Sequence, residues 1–110
     1  MTEGPTPLIL DVTATPDGPT VTVTGELDMA SVERFVEFTT RQLEGPPRQL
    51  SVDLSGVRFC DSSGINGLVQ LRNLSSAAGW QYRLIRLPSE LDRVISDLTG
   101  LRDFLNVVED

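Results

Sequence analysis

The chain predicts a single-domain α/β fold in which a mixed β-sheet with an N-terminal β-hairpin is covered by three helices, in the order β-β-α-β-α-β-α-β. Three observations predict it. Two runs of strict apolar/polar alternation flank the turn signal Pro16-Asp17-Gly18-Pro19. Beyond Gly25, short apolar strands alternate with segments whose apolar residues recur at helical spacing, which implies right-handed crossovers and a partly parallel sheet. With 110 residues, 39% of them hydrophobic, the chain can fill one core and has no room for two.

Residues 1–7 hold two prolines and no apolar period and read as a flexible leader, which leaves 8–108 as the folded domain. Leu8, Leu10, Val12 and Ala14 alternate with Ile9, Asp11 and Thr13 in the first strand, and Thr20 to Thr24 alternate in the second, so the pair is a hairpin at one edge of the sheet. Val32, Phe35, Val36, Thr39 and Leu43 then fall on one helical face, with Asp28 or Ser31 as the N-cap and Gly45-Pro46-Pro47 as the stop. Leu50, Val52 and Leu54 form a third strand, with Asp53 on its other side and Ser55-Gly56 ending it.

After Val57-Arg58-Phe59-Cys60 comes Asp61-Ser62-Ser63-Gly64, and from Ile65 a wide apolar stripe runs through Leu68, Val69, Leu71 and Leu74 to Gly79, a natural residue to follow a helix. A fourth strand lies within Trp80–Leu87. Pro88-Ser89 opens a third helix with Leu91, Val94, Ile95 and Leu98 at i, i+3, i+4 and i+7, Ser89 and Asp92 as a capping pair, and Gly100 as its end. Phe104, Leu105, Val107 and Val108 supply a last strand before the acidic Glu109-Asp110. With three helices for the whole sheet, one sheet face is left partly open.

The charge balance excludes much chemistry. Nine cations against sixteen anions leave a net charge of −7, all nine cations are arginine, and histidine and lysine are both missing. Without histidine there is no Ser-His-Asp or Cys-His pair and no imidazole base or metal ligand. Without lysine there is no Schiff base and no P-loop cation. An acidic chain is poorly suited to phosphate backbones or anionic lipid, so neither nucleic acid nor membrane is an expected partner. No run approaches the roughly 18 apolar residues of a spanning helix, and residues 1–7 lack the features of a signal peptide; the expected location is the cytoplasm. Cys60, the lone cysteine, reads as a small apolar filler without redox chemistry. Asp28, Asp53 and Asp61 could be imagined around a divalent cation, but each also has an ordinary capping or strand-end role, and no cofactor or metal is expected. Trp80 and Tyr82 read as packing residues, and no glycine-rich phosphate loop supports nucleotide binding. Phe38 lies off the stripe of the first helix.

Asp61-Ser62-Ser63-Gly64 is the segment with chemical potential. It places hydroxyls at a strand-to-helix junction, where free N–H groups and the positive end of the helix dipole converge. Capping alone would account for Asp and Ser there. The junction, however, is at the carboxyl end of a strand in an α/β sheet, where such folds expose functional groups. A phosphoryl group of about −1.5 to −2 charges at a helix N-terminus is tolerated there.

Gly25-Glu26-Leu27-Asp28, Val52-Asp53-Leu54-Ser55-Gly56-Val57 and Phe59-Cys60-Asp61-Ser62-Ser63-Gly64-Ile65, taken in this element order, resemble a STAS domain of the bacterial anti-sigma factor antagonist family, over roughly residues 8–108. The resemblance implies a partner switch and no catalysis by the chain itself. It implies Ser62 as the phosphoacceptor, with Ser63 its nearest competitor, Asp61 as the adjoining acid, and Asp28, Asp61, Ser62, Ser63 and Gly64 in the partner-binding surface. The implied partners are an anti-sigma factor that is a serine kinase and a serine phosphatase that restores the hydroxyl. The expected oligomeric state is monomer or weak dimer. The alternative reading is a constitutive STAS adaptor subunit of a lipid-transport ATPase complex. Cys60 stands where a larger apolar residue is usual in the family, and Asn66 is polar on the exposed side of the second helix. A hydrolase using Ser62 would lack a base to activate the hydroxyl.

Overall fold

The structure, a computed structural model, describes residues 7–108; most of the expected leader and the Glu109-Asp110 end lie outside the described residues. The hairpin forms as its sequence dictates. β1 (Ile9–Thr15) runs antiparallel to β2 (Gly18–Leu27) in an unbroken register from Ile9↔Thr24 to Thr15↔Gly18. β2 then pairs in parallel with β3 (Gln49–Cys60), β3 with β4 (Gln81–Ile85), and β4 with β5 (Val107–Val108), giving a five-stranded sheet in the order β1-β2-β3-β4-β5. Between them lie α1 (Val32–Thr40), α2 (Ser62–Ala77) and α3 (Ser89–Arg93), and α3 continues into a wide π-helical turn over Val94–Leu98. The α/β class and the element order are those expected from the sequence.

One side of the pleat supplies the core. Val21 and Val23 of β2, Leu50, Val52 and Leu54 of β3 and Leu84 of β4 are fully buried together with Phe35 of α1, Leu68 and Leu71 of α2 and Ile95. Gly67 brings α1 and α2 close, because a Cβ there would stand 2.5 Å from Val32 Cγ2. Tyr82 turns inward from β4, its hydroxyl donating to the Leu68 carbonyl at 2.9 Å, and burial pushes that phenol's pKa well up. The opposite side of the pleat is polar. There the Arg83 guanidinium donates to Ser51 Oγ at 2.8 Å, and the Asp53 carboxylate is held by Arg86 at 2.8 Å and by the Ser55 N–H at 2.9 Å.

Local expectations are corrected or refined at five places. β3 does not end at Ser55-Gly56. It runs to Cys60 through two register shifts against β2, between Thr22 and Thr24 and between Gly25 and Glu26, so that extra β3 residues are absorbed as bulges. Ser31 occupies the N-cap position of α1 without a side-chain cap bond, and Asp28 folds the preceding turn instead. Ser89 lies inside α3, which starts from Pro88; Asp92 accepts from Ser96 at 3.0 Å and from Arg102 and makes no capping pair with Ser89. Among the described residues the last strand comprises Val107 and Val108, while Leu105 plugs the core from the preceding turn and Phe104 lies exposed under the Arg72 guanidinium, 4.2 Å from the ring centroid. Val12 and Ala14, on the inward rhythm of β1, are exposed because the strand lies at the sheet edge beyond the helices.

Candidate functional site

The site is assembled by two parallel strands that end side by side. Leu27 and Cys60 are register partners at the carboxyl ends of β2 and β3, so the chain leaves both strands at the same level, into Asp28 on one side and Asp61 on the other. The Asp61 N–H donates to the Leu27 carbonyl at 3.3 Å and ties the two exits together. Asp61 is extended (φ −99°, ψ −172°), and its carboxylate accepts from the Gly64 N–H at 3.1 Å while its carbonyl accepts from the Ile65 N–H at 3.1 Å. This is a side-chain N-cap, and it fixes Ser62 as the first residue of α2. Sixteen residues later α2 ends in a Schellman motif, with Gly79 at φ +79° and the Trp80 N–H donating to the Ser75 carbonyl at 2.9 Å.

Gly64 is required by close approach. A Cβ there would stand 2.6 Å from Cys60 Sγ and 2.6 Å from the Leu27 carbonyl oxygen, so only glycine lets the first turn of α2 sit against the two strand ends. The tetrapeptide thus has a division of labour: Asp61 caps, Gly64 packs, and the two serines face outward between them. Ser62 is exposed and Ser63 half-buried, and neither hydroxyl is engaged by another described residue.

On the neighbouring exit, the Asp28 carboxylate accepts from the Ala30 N–H at 3.0 Å and from the Ser31 hydroxyl at 3.3 Å, while its carbonyl accepts from the Ser31 and Val32 N–H groups. The single Ser31 hydroxyl proton is shared with the nearer Glu26 carbonyl at 2.8 Å, and its oxygen accepts from the Asp28 N–H at 3.1 Å. Asp28 is therefore half-buried in a tight turn that presents Met29 outward. Met29 is 79% exposed, and Phe59, near the end of β3, is 51% exposed. Both large apolar residues lie on the strand exits that carry the motif aspartates, and neither is singled out by the sequence pattern. The available signal is positional, since each lies within two residues of a motif aspartate at a strand exit. A groove of about 220 Å³ opens beside Phe59, between β3 residues 57–60 and Pro88, Leu91 and Val94 of the third helical segment.

The remaining candidates separate from this site. Asp53 lies upstream on β3, paired with Ile85 and held by Ser55 and Arg86, so it does not converge with Asp28 and Asp61. Among the described residues no group of three Cys, Asp or Glu side chains is placed to hold a metal ion. Burial, and secondarily the Asp61 charge, push the Cys60 thiol up to about 12, which keeps it a neutral space-filler against Gly64. Trp80 and Tyr82 are buried, Arg48 lies over the Trp80 ring at 5.8 Å, and Phe38 packs on the edge of the core. No helix among the described residues is long and apolar enough to cross a membrane.

Comparison with known proteins places this geometry in a family. The STAS domain family matches residues 10–110. A crystal structure of an anti-sigma factor antagonist from Mycobacterium paratuberculosis is 22% identical, with 96% of this chain and 89% of that chain covered and a TM-score of 0.80. The anti-sigma factor antagonist SpoIIAA is similar in two states. Its unphosphorylated form is 18% identical with 94% of this chain and 88% of that chain covered (TM-score 0.75), and the Bacillus protein in its phosphorylated form is 18% identical with 94% and 91% covered (TM-score 0.66). The murine Solute Carrier 26 family member A9 anion transporter, in an inward-facing state, is 26% identical over 77% of this chain but only 14% of that chain, at a TM-score of 0.67. No curated protein matches the chain. Family match and shared architecture agree, and the chain belongs to the STAS domain family.

Proposed function

We propose that the chain is an anti-sigma factor antagonist whose unphosphorylated form binds a serine-kinase anti-sigma factor and so releases a sigma factor, and whose phosphorylation on Ser62 switches that binding off. The observation that carries this reading is the exposed, unengaged Ser62 hydroxyl at the first position of α2, held by the Asp61 cap and the Gly64 contact beside the Asp28 turn. The resemblance of this STAS chain to SpoIIAA in both unphosphorylated and phosphorylated forms supports it.

The chain acts as substrate. The kinase supplies ATP and the base. A bond forms between Ser62 Oγ and the γ-phosphorus as the bond to the ADP oxygen breaks, and the hydroxyl proton passes to the kinase. The product carries about −1.5 to −2 charges at a helix N-terminus, where N–H groups and the dipole accept them without unfolding α2. For the partner the same charge is costly. A pocket fitted to a neutral hydroxyl, already facing Asp28 and Asp61, must desolvate an added dianion, a penalty of several kcal/mol when it is unpaired. A serine phosphatase resets the switch by hydrolysing the phosphate. The cytoplasm, where kinase and sigma factor meet, is the location this role requires.

The test is to incubate the protein with a serine-kinase anti-sigma factor from its host and ATP, follow intact mass, and measure binding of both forms to the kinase. One phosphate on Ser62 and loss of tight binding are expected. A Ser62→Ala variant that accepts phosphate at an undiminished rate, or a phosphorylated form that binds as well as the unmodified one, overturns the reading.

A further inference from the structure

The outer edge of β1 is an unexplained feature of the molecule. Among the described residues no strand pairs with it, and it carries two of the exposed large apolar residues, Ile9 at 51% and Val12 at 43%. Exposed sheet edges ordinarily carry lysine, proline, a bulge or an inward charge that discourages pairing, or are very short. β5, at the other edge, spans two of the described residues. β1 has seven residues, Ile-Leu-Asp-Val-Thr-Ala-Thr, no register shift against β2, and Asp11 as its single charge.

The direction of its backbone groups follows from the register. Pro19 has no N–H, so the Ala14↔Pro19 pair is one that does not exchange ladder bonds, and by antiparallel alternation Val12↔Val21 and Leu10↔Val23 are of the same kind. The N–H and C=O groups of Leu10, Val12 and Ala14 therefore point away from β2, toward the open edge. The side chains of the same three residues lie on the helix-bearing side of the pleat, with Val21 and Val23.

We propose that β1 is a homodimerisation edge, pairing antiparallel with β1 of a second copy about a two-fold axis at Val12 to give a continuous ten-stranded sheet. The strand is self-complementary in this register. Val12 exchanges bonds with its own symmetry mate and Leu10 with Ala14 of the second copy, so each outward N–H meets an outward C=O. On the helix-bearing side the seam is apolar throughout (Leu10, Val12 and Ala14). On the other side Asp11 faces Thr13 and Ile9 faces Thr15, so no carboxylate is directly opposite another, an arrangement that would be destabilising. A two-fold interface uses the same patch twice. Because the two β2 strands then run in opposite directions, the two Ser62 helix starts lie at opposite ends of the joined sheet, and each stays open to its own partner.

Sedimentation velocity across a concentration series tests this. A monomer–dimer equilibrium is expected for the native chain, and Val12→Lys should remain monomeric at the same concentrations. A thermal midpoint equal to that of the native chain measured at a dilution where it is monomeric shows that this residue was replaced without unfolding. Since paired Cα atoms in such a register are about 5.5 Å apart, within disulfide reach, Val12→Cys should oxidise to a covalent dimer much faster than Thr13→Cys. A chain that stays monomeric to millimolar concentration, a dimer that Val12→Lys leaves intact, or equal cross-linking at positions 12 and 13 overturns the proposal.

Discussion

Two helix starts in this molecule look alike in sequence and are held by different forces. Asp61-Ser62-Ser63-Gly64 and Pro88-Ser89-Glu90-Leu91-Asp92 both offer small polar residues ahead of an apolar stripe. At α2 the side-chain cap forms, the backbone bond to Leu27 forms, and Gly64 is pressed against two strand ends. At α3 no side-chain cap forms. The chain enters it from Arg86, which adopts a positive φ of 55° and binds Asp53, and the helix loosens into a π turn after one full turn. A polar tetrapeptide does not make a rigid platform by itself. Two parallel strands ending in register beneath it do, and they orient an exposed serine with little freedom.

The sharpest way to break that contrast is at Gly64. Gly64→Ala must push the α2 start off the Leu27 carbonyl and Cys60, and overpacking of this kind costs about 1–3 kcal/mol. Ser89→Ala, at the first position of α3, should stay within about 0.5 kcal/mol, as expected for an exposed residue without a cap role. Urea unfolding of both variants measures the difference. Equal losses would show that the strand ends contribute nothing special to α2. Next comes the cap itself. Asp61→Ala should cost about 0.5–2 kcal/mol, while Asp61→Asn, which keeps an accepting oxygen for the Gly64 N–H, should recover most of it in the same measurement.

These two starts also mark how far the sequence could be read. The hairpin, the parallel order and the Asp61 cap were legible because each depends on residues within a few positions of one another: alternation around Pro16–Pro19, helical spacing from Ile65, and Asp61 three residues before Gly64. Two of the failures came from distant partners, and a third from a tight local turn. Ser55-Gly56 carries a stop signal locally, yet Gly56 packs onto Thr24 of β2, where a Cβ would come within 2.7 Å of its Oγ1, and the strand continues through the bulge. Asp92 is drawn to Arg102, ten residues on, and not to the start of its own helix. Asp28, a fair helix cap by type, is consumed by the turn that exposes Met29. In the site, the serines were visible as a motif. The exposed apolar residues Met29 and Phe59 on the two strand exits were not, because exposure is settled by the sheet and not by the residue.

Acid should separate the two starts again. Burial acts to raise the Asp53 carboxyl, but the Ser55 and Arg86 hydrogen bonds and the Arg86 charge outweigh it, so its pKa lies below the ordinary range. A carboxyl depressed in the folded state stabilises above its unfolded pKa of about 3.9, and that stabilisation is lost as pH falls through the folded value. Asp53→Asn should therefore cost about 1 kcal/mol at neutral pH and flatten the loss of stability below about pH 4. Hydrogen exchange should show the loosening near Arg86 and α3, with the first turn of α2 little changed. Loosening that begins at α2 would mean the ion pair does not hold the α3 entry.

The smallest expected effect concerns Ser62 phosphate. An anion at the first position of a well-formed sixteen-residue helix gains about 0.3–1 kcal/mol from the N-terminal N–H groups and dipole at low salt. Asp61, already accepting from the Gly64 N–H, stands beside it and subtracts some of that gain by like-charge repulsion. Phosphorylated protein should therefore unfold at the same temperature as the unmodified form or slightly above it, with the difference shrinking as salt is added. Scanning calorimetry of the two forms at low and high ionic strength reads this directly. A clear fall in the midpoint would mean that the phosphate disrupts the Asp61 cap. The switch would then act by melting the first turn of α2, and not by presenting charge on a platform that stays folded.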